Sequence, residues 1–252
     1  MDDGPKTLEQ SVEMLRLAAK SGTTDIVASP HANHEFKFEP EVVAARIEEL
    51  RGAVNGAIRI HSGCDFHLSF DNIQDSLQNP SKYAINHKKY VLVEFSDLLI
   101  PKTTDDVFYQ MQAAGMIPII THPERNLLLQ KRLDKLEAWV ESGCLLQVTA
   151  QSFLGRFGKQ AKAFADRLLY RGLVHIVASD AHDTKYRPPS LMEAHEYVSK
   201  ACGERRATML FVKNPAAALS GSPVEIDLEP PSPPKKWYRF WSTLVILTVL
   251  LK

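Results

Sequence analysis

Short apolar segments alternate along the chain with longer segments whose apolar residues recur every three or four positions. The short segments are rich in Val, Ile and Leu, which is typical of strands buried on both faces. The longer segments have one apolar face and often end at a glycine, as amphipathic helices do. The pattern predicts six strands, at residues 25–29, 57–62, 90–95, 116–121, 144–149 and 173–177, and helices at 7–21, 40–54, 104–114, 133–141, 159–170, 190–201 and 204–211.

This alternation of strand and helix predicts an α/β protein with a parallel sheet wrapped by helices. A doubly wound open sheet and a closed barrel both fit the alternation. The length of 252 residues suits one large domain, and the apolar fraction of 44% supports a sizeable core. The choice between the two architectures therefore depends on where the chemically competent side chains fall.

Histidines and carboxylates repeatedly follow the predicted strands, at the point where each strand ends. His31 and Asp65 follow the first two strands, His122 follows the fourth, and Asp180 and His182 follow the last. Barrels of (β/α) units build their sites at the rim formed by the carboxyl ends of the strands. The pattern therefore favours a barrel. Taken singly, Asp180 could instead cap a turn, and His182 could be a surface histidine.

Two further carboxylates extend this set of ligand-type residues. Glu94 interrupts the apolar run 91–95, and a buried carboxylate must be paired or bound to a metal. Its alternative is a strand position that faces solvent. Asp3 adds a carboxylate near the N-terminus. Nitrogen and oxygen ligands without thiolate suit Mn²⁺, Fe or Zn²⁺, and sites with several such ions commonly hydrolyse phosphate esters, with a metal-bound hydroxide as the nucleophile.

Two arginines lie close in sequence to these residues. Arg125 is three residues after His122, and Arg187 is five residues after His182. A pair of guanidinium groups there would bind phosphate oxygens and balance negative charge in the transition state. The alternative is that each arginine pairs with a surface carboxylate, and Glu124 is adjacent to Arg125 in sequence.

Charge and cysteine content exclude several other classes of function. Lys+Arg and Asp+Glu both number 30, so the net charge is zero and general binding of nucleic acid is disfavoured. Three widely spaced cysteines argue against a disulfide framework, and the N-terminus has no apolar signal region. The sequence therefore predicts a cytoplasmic protein. No arginine stands six positions after Cys64, Cys144 or Cys202, which excludes a phosphatase mechanism with a cysteine nucleophile.

The composition changes near residue 221, and three parts are predicted. Residues 1–220 form the catalytic barrel, 221–236 a proline-rich linker, and 237–252 an aromatic and apolar tail. The apolar run 241–251 is too short to span a bilayer. It could lie at the inner face of a membrane, with basic residues of 235–239 at the headgroups, or it could form a terminal helix docked on the barrel or on a partner.

Several blocks resemble, in order, the bacterial PHP-domain protein-tyrosine phosphatases, the manganese-dependent enzymes of capsule and exopolysaccharide clusters. The similarity extends from Asp2 to about Pro215. It implies a distorted (β/α)7, TIM-like barrel with up to three metal ions. It also implies hydrolysis of phosphotyrosine on the tyrosine autokinase that controls polysaccharide export. The blocks are Asp2-Asp3-Gly4-Pro5-Lys6, Val93-Glu94-Phe95-Ser96, His122-Pro123-Glu124-Arg125, Ala178-Ser179-Asp180-Ala181-His182 and Arg187-Pro188-Pro189.

The resemblance also implies roles for individual residues. Asp3, His31 and His182 would hold one ion, and Arg125 and Arg187 would hold the phosphate. The other ions would be held by Asp65, Glu94, His122 and Asp180, with Asp65 standing where some relatives have glutamate. The family opens with a strand that bears a His-x-His pair, which is absent before Asp2. We therefore expect either a misplaced start or a barrel that lacks its first strand.

Two other functions fit the same residues. A PHP phosphoesterase acting on a small phosphomonoester would have a similar barrel and similar metals, because a fold does not fix the substrate. A truncated, non-catalytic module that binds the kinase would have the barrel remnant without the chemistry. Metal-dependent hydrolysis of phosphotyrosyl peptides distinguishes the first prediction from both.

Overall fold

A computed structural model of the protein describes residues 2–226. Eight strands lie within this range, and every pairing between them is parallel. The prediction of an α/β protein with a parallel sheet covered by helices is confirmed. The strands are β1 Asp25–Ala28, β2 His31–Ala32, β3 Arg59–Ser62, β4 Asp65–His67, β5 Tyr90–Glu94, β6 Ile117–Thr121, β7 Leu145–Thr149 and β8 Ile176–Ala178.

The strands follow chain order across the sheet. Six of them form a sheet in the order β2-β4-β5-β6-β7-β8, and β1 pairs with β3 in a second, two-stranded sheet. Helices provide the connections that parallel neighbours need. They are α1 Leu8–Lys20, α2 Pro40–Val54, α3 Phe70–Gln78, α4 Thr104–Ala113, α5 Leu133–Glu141, α6 Ala150–Phe153, α7 Gly158–Tyr170, α8 Met192–Cys202, α9 Glu204–Thr208 and α10 Asn214–Ser220, with a π-helical turn at Met209–Lys213 and 3-10 turns at Ile85–His87 and Leu129–Lys131.

Two of the six predicted strands are each followed by a short second strand that the sequence did not predict. Pro30, which has no backbone N–H, separates β1 from β2, and Gly63 and Cys64 separate β3 from β4. At Gly63 two segments of the chain approach so closely that an added Cβ atom would lie 2.5 Å from Cγ1 of Val27. Only glycine fits there, and the division sets the short strands β2 and β4 at the edge where the candidate site lies.

Both faces of the main sheet are buried, which explains the continuous apolar runs in the sequence. Val93, Ile120 and Leu146 point into the large core between the strands and the helices. Their neighbours Ile119 and Leu145 point to the other face, into a smaller apolar cluster. Removing this apolar surface from water is the main stabilising contribution to such a fold. The resulting rigid sheet holds the strand ends in fixed positions.

A cleft of about 1090 Å³ separates β8 from β1. Within residues 2–226, β8 pairs only with β7, and no hydrogen-bonded pairing joins it to β1 or β2. The described strands therefore form an open arrangement, and closure into a barrel is not observed among them. Val27 and Ile176 line the apolar part of the cleft, and His31 and Asp180 lie at its polar end.

The described part of the chain contains no helix that is both long enough and apolar enough to cross a membrane. The predicted tail at 237–252, and most of the predicted linker, lie outside residues 2–226.

Candidate metal centre

The carboxyl ends of the strands bring the predicted ligands to one edge of the sheet. His31 on β2 lies opposite Asp65 on β4, and His67 on β4 lies opposite Glu94 on β5. Asp65 and His67 are two residues apart on one strand, so their side chains point to the same face. His122 follows β6 directly.

Two of the ligand-type residues have unusual backbone conformations. His122 has φ of 34° and Asp180 has φ of 50°, which is the left-handed region that side chains other than glycine rarely adopt. Each follows a strand and turns the chain sharply where the strand ends. Such conformations persist only when the surrounding structure enforces them, and they concentrate at functional sites.

Four side chains form the first ligand cluster: His31, Asp65, His67 and Glu94. One nitrogen or oxygen atom from each lies within 4.8 Å of the others. Glu94 is central, because its Oε2 is 2.7 Å from His67 Nε2 and 3.3 Å from His31 Nδ1. Its Oε1 is 3.3 Å from Nε2 of His122. His122 thus joins the cluster through Glu94.

A second ligand cluster consists of Asp3, His31 and His182. Their ligand atoms also lie within 4.8 Å of one another. The carboxylate of Asp3 lies between the two histidines, 3.3 Å from Nε2 of His31 and 3.4 Å from Nε2 of His182. His31 belongs to both clusters, with one ring nitrogen facing each of them.

Burial and closely spaced charges shift the pKa values of the side chains in the first cluster. Burial and the nearby charge of Glu94 raise the pKa of Asp65 to about 7. Burial alone would raise the pKa of Glu94, but hydrogen bonds from His122, His31 and His67 lower it below its ordinary value. The contact with Glu94 raises the pKa of His31 to about 9. Protons held in this way are those that a divalent cation displaces on binding.

The donor set fits divalent cations. Oδ1 of Asp65 is buried and has no hydrogen-bond partner. A buried polar atom without a partner is costly, so its presence between the histidines and Glu94 points to a ligand. Imidazole nitrogens with carboxylate oxygens are the donors that Mn²⁺, Fe or Zn²⁺ accept. The residues present therefore fit the metal ions that the sequence predicts.

Asp180 connects the metal centre with both predicted arginines. Its Oδ2 accepts hydrogen bonds from Nη1 of Arg125 and Nη2 of Arg187. Burial would raise the pKa of Asp180, but the positive charges of His122 and the two arginines lower it. The guanidinium carbon of Arg125 also lies 4.3 Å from the ring centre of Phe157, in a cation–π contact.

The alternative partner of Arg125 is occupied elsewhere. Glu124 is fully buried and points away from solvent, where its Oε1 accepts hydrogen bonds from the backbone N–H of Thr149 and the hydroxyl of Ser152. Burial raises its pKa. Glu124 therefore ties the loop after β6 to the end of β7 and to α6. This leaves Arg125 with Asp180.

The sequence analysis missed two residues of this site. His67 was not selected, although its position two residues after Asp65 placed it on the same face of β4. Phe157 belongs to a glycine-flanked turn between α6 and α7, and no local pattern marks its contact with Arg125. All seven predicted ligands lie at this edge of the sheet, within the two clusters or beside them.

Known proteins similar to this chain share its length and its fold. Tyrosine-protein phosphatase YwqE of Bacillus subtilis (strain 168) is 35% identical over 240 residues, which cover 94% of this chain and 93% of YwqE. Tyrosine-protein phosphatase CpsB of Streptococcus pneumoniae is 29% identical over 224 residues, covering 85% and 92% respectively.

The fold also resembles that seen in crystal structures of YwqE from Bacillus subtilis and CpsB from Streptococcus pneumoniae, which are unique metal-dependent tyrosine phosphatases. One chain superposes with a TM-score of 0.85 and 33% identity, covering 93% of this chain and 95% of that chain. Residues 1–220 match the sequence family described as capsular polysaccharide synthesis, CpsB/CapC. The family resemblance predicted from the motifs is therefore confirmed, and the chain belongs to the CpsB/CapC family.

Proposed function

We propose that this protein is a metal-dependent phosphatase that hydrolyses phosphotyrosine in a protein. The observation that carries the proposal is the position of Asp180, whose Oδ2 contacts both Arg125 and Arg187 beside the histidine–carboxylate clusters. Two guanidinium groups next to bound cations form a pocket for a phosphate dianion. Substrate phosphate would take the place of part of the contact that Asp180 now makes.

The roles of the side chains follow from their grouping. Asp3, His31 and His182 would hold one ion, and the remaining predicted ligands would hold up to two more. Bound Mn²⁺, or Fe or Zn²⁺, would supply a nucleophile from water and stabilise negative charge. Arg125 and Arg187 would orient the phosphate and stabilise the charge that develops on its oxygens. Phe157 would hold Arg125 in place. The other proposed metal ligands are Asp65, Glu94, His122 and Asp180.

Exposed apolar side chains around the site support a protein substrate over a small ester. Leu98 is 88% exposed on the loop after β5, and Tyr186 is 84% exposed beside Arg187. Leu127 is also exposed, two residues after Arg125. Asn126 donates hydrogen bonds to the backbone oxygen atoms of Phe95 and Ser96, which holds the loops after β5 and β6 together. Apolar residues exposed on a rim are typical of surfaces that bind another protein.

The finer expectations from the family resemblance belong to the same proposal. The substrate would be an autophosphorylated bacterial tyrosine kinase of capsule or exopolysaccharide synthesis. The fold would be the distorted barrel of the PHP phosphatases, with the cleft between β8 and β1 as its open side. The protein would act in the cytoplasm, and residues 237–252 would contact the inner face of the membrane.

The test compares substrates and arginine variants. Purified full-length protein loaded with Mn²⁺ should hydrolyse a phosphotyrosyl peptide with a higher kcat/KM than histidinol phosphate or a sugar phosphate. Because lysine lacks the fork of donors that binds two oxygens, Arg125→Lys and Arg187→Lys should each lower kcat/KM about 100-fold. Arg171→Lys provides a matched control, since Arg171 is exposed and pairs with Glu137 on the helical surface.

Each alternative gives a different result. Preference for the small esters would indicate a PHP phosphoesterase of metabolism. A protein that binds no Mn²⁺ and hydrolyses none of the substrates would be a non-catalytic binding module. Activity that survives both arginine substitutions would contradict the phosphate-binding role of the pair.

A further inference from the structure

The two ligand clusters share one histidine, His31. His31 faces both clusters, with Nε2 3.3 Å from Asp3 and Nδ1 3.3 Å from Glu94. A neutral imidazole has one nitrogen with a free lone pair, because the other carries the proton. His31 can therefore act as a neutral ligand to one ion only. If it binds the ion of Asp3 and His182, His122 is the one predicted ligand left that offers a nitrogen to an ion at Asp65 and Glu94.

His67 offers a second nitrogen beside the same two carboxylates. It shares a strand face with Asp65, and its backbone is in register with Glu94. Its Nε2 is 2.7 Å from Oε2 of Glu94, and its ring makes an edge contact with the ring of His31 at 5.6 Å between centroids. The side chain is 22% exposed, so it is partly enclosed yet reachable by a hydrated cation.

We propose that His67 is a metal ligand, which binds a divalent cation through Nε2 together with Asp65 and Glu94. The inference rests on the proposed function only in that the site must hold divalent cations. It assigns the two histidines of the first cluster to different ions. His31 then serves the cluster of Asp3 and His182, while His67 serves the carboxylates of β4 and β5.

The competing role for His67 is a hydrogen bond. In that case Nε2–H would donate to Glu94 and merely orient this carboxylate, as residues around metal ligands commonly do. The two roles make different demands on the side chain. A ligand needs the lone pair of an imidazole nitrogen, whereas an orienting residue needs only an N–H group at the same place.

The experiment uses full-length protein and the variants His67→Gln and His67→Ala. The glutamine side-chain amide retains an N–H donor for Glu94 but has no nitrogen lone pair for the metal. Metal-free proteins are titrated with Mn²⁺ by calorimetry, and bound manganese is counted by mass spectrometry after desalting. His34→Gln is the matched control, because His34 is an exposed histidine on a neighbouring loop. Circular dichroism of the metal-free proteins checks that all variants fold.

We expect both His67 variants to lose one bound Mn²⁺ per chain, or to bind it at least about 10-fold more weakly, with His34→Gln unchanged. Wild-type manganese content and affinity in His67→Gln would overturn the ligand role. If wild type binds Mn²⁺ and hydrolyses phosphotyrosine while His67→Gln binds normally, only this inference fails. A wild-type protein that binds no divalent cation would refute both this inference and the proposed function.

Discussion

The carboxylate of Asp180 has two groups of charged neighbours. Its Oδ2 holds the guanidinium groups of Arg125 and Arg187, and its position after β8 brings it beside the histidines of the metal centre. The positive φ of Asp180 makes this position possible, because an extended backbone there would carry the carboxylate onward with the strand. One residue thus lies between the two arginines and the candidate metal centre.

His175, at the start of β8, provides a prediction about pH. The backbone N–H of Leu146 donates to Nδ1 of His175, so this nitrogen must be unprotonated. Burial and then the charge of Arg206 lower the pKa of His175 to about 4. In the unfolded chain, His175 becomes protonated below about pH 6.5, whereas in the folded protein it stays neutral down to about pH 4. The free energy of unfolding therefore falls as the pH drops from about 6.5 to 4. The loss should be about 3 kcal/mol.

Urea unfolding with EDTA between pH 4.5 and 7 measures this loss. His175→Asn keeps an acceptor for Leu146 but does not titrate, so its free energy of unfolding should depend less on pH than that of wild type. The ligand carboxylates titrate equally in both proteins and cancel in the difference. Parallel pH profiles would contradict the prediction.

At the scale of single residues, the sequence predicted that the proposed ligands meet at one edge of the sheet, and the structure places them there. His122, Asp180 and His182 could be selected because each follows an apolar run. His67 could have been selected by applying the two-residue period of β4. The contact of Phe157 with Arg125 could not, because it joins two loops whose relative position depends on how several helices pack.

At the scale of elements, Gly63 provides a second prediction. It lies between β3 and β4, where an added Cβ atom would meet Val27 at 2.5 Å. The branched side chain of Val27 has little freedom to move away. Gly63→Ala should therefore lower the free energy of unfolding by about 1–3 kcal/mol. It should also weaken Mn²⁺ binding, since Asp65 is two residues away.

Chemical denaturation and a Mn²⁺ titration measure the two effects. Gly52→Ala is the matched control, because an added Cβ there meets nothing within 4 Å and Gly52 lies within α2. Unchanged stability of Gly63→Ala would show that the strands can separate at this point without cost.

Strands β1, β5, β6 and β7 were predicted to within one residue at each end, whereas β2 and β4 were not predicted and β8 begins three residues later than predicted. In β5, β6 and β7 both faces are buried, and the hydrophobic pattern alone marks the whole strand. The short strands β2 and β4 follow breaks at Pro30 and Gly63, and the break at Gly63 lies where Val27 approaches closely. Sequence patterns report burial along one segment and contain no information about that approach.

At the scale of the whole molecule, the tail provides a third prediction. Residues 235–241 combine three basic and four aromatic side chains, which is typical of segments that bind the interface of anionic membranes. Full-length protein should therefore co-sediment with phosphatidylserine vesicles. A variant with glutamate in place of Lys235, Lys236 and Arg239 should not co-sediment, because its attraction to the anionic surface is lost.

The control carries glutamate at three exposed lysines of the described residues, Lys88, Lys102 and Lys159. All three proteins should hydrolyse an aryl phosphate in solution at the same rate, since the proposed site lies elsewhere. Equal binding of both triple variants to vesicles would contradict a role for the tail.

The order of the strands also has a consequence for how this chain folds. From β4 to β8, each pairing joins strands that are consecutive in the sequence, through a connection that contains at least one helix or helical turn, as between Ile119 and Leu145. The pairs β1–β3 and β2–β4 each have one other strand between them in the sequence. The entropy lost in closing each loop is therefore similar and modest. No described pairing across the cleft requires the first and last strands to meet. Topologies with such local contacts fold faster than those that depend on contacts between distant parts of the chain. During synthesis, each new strand can therefore add to the one before it, before the rest of the chain has left the ribosome.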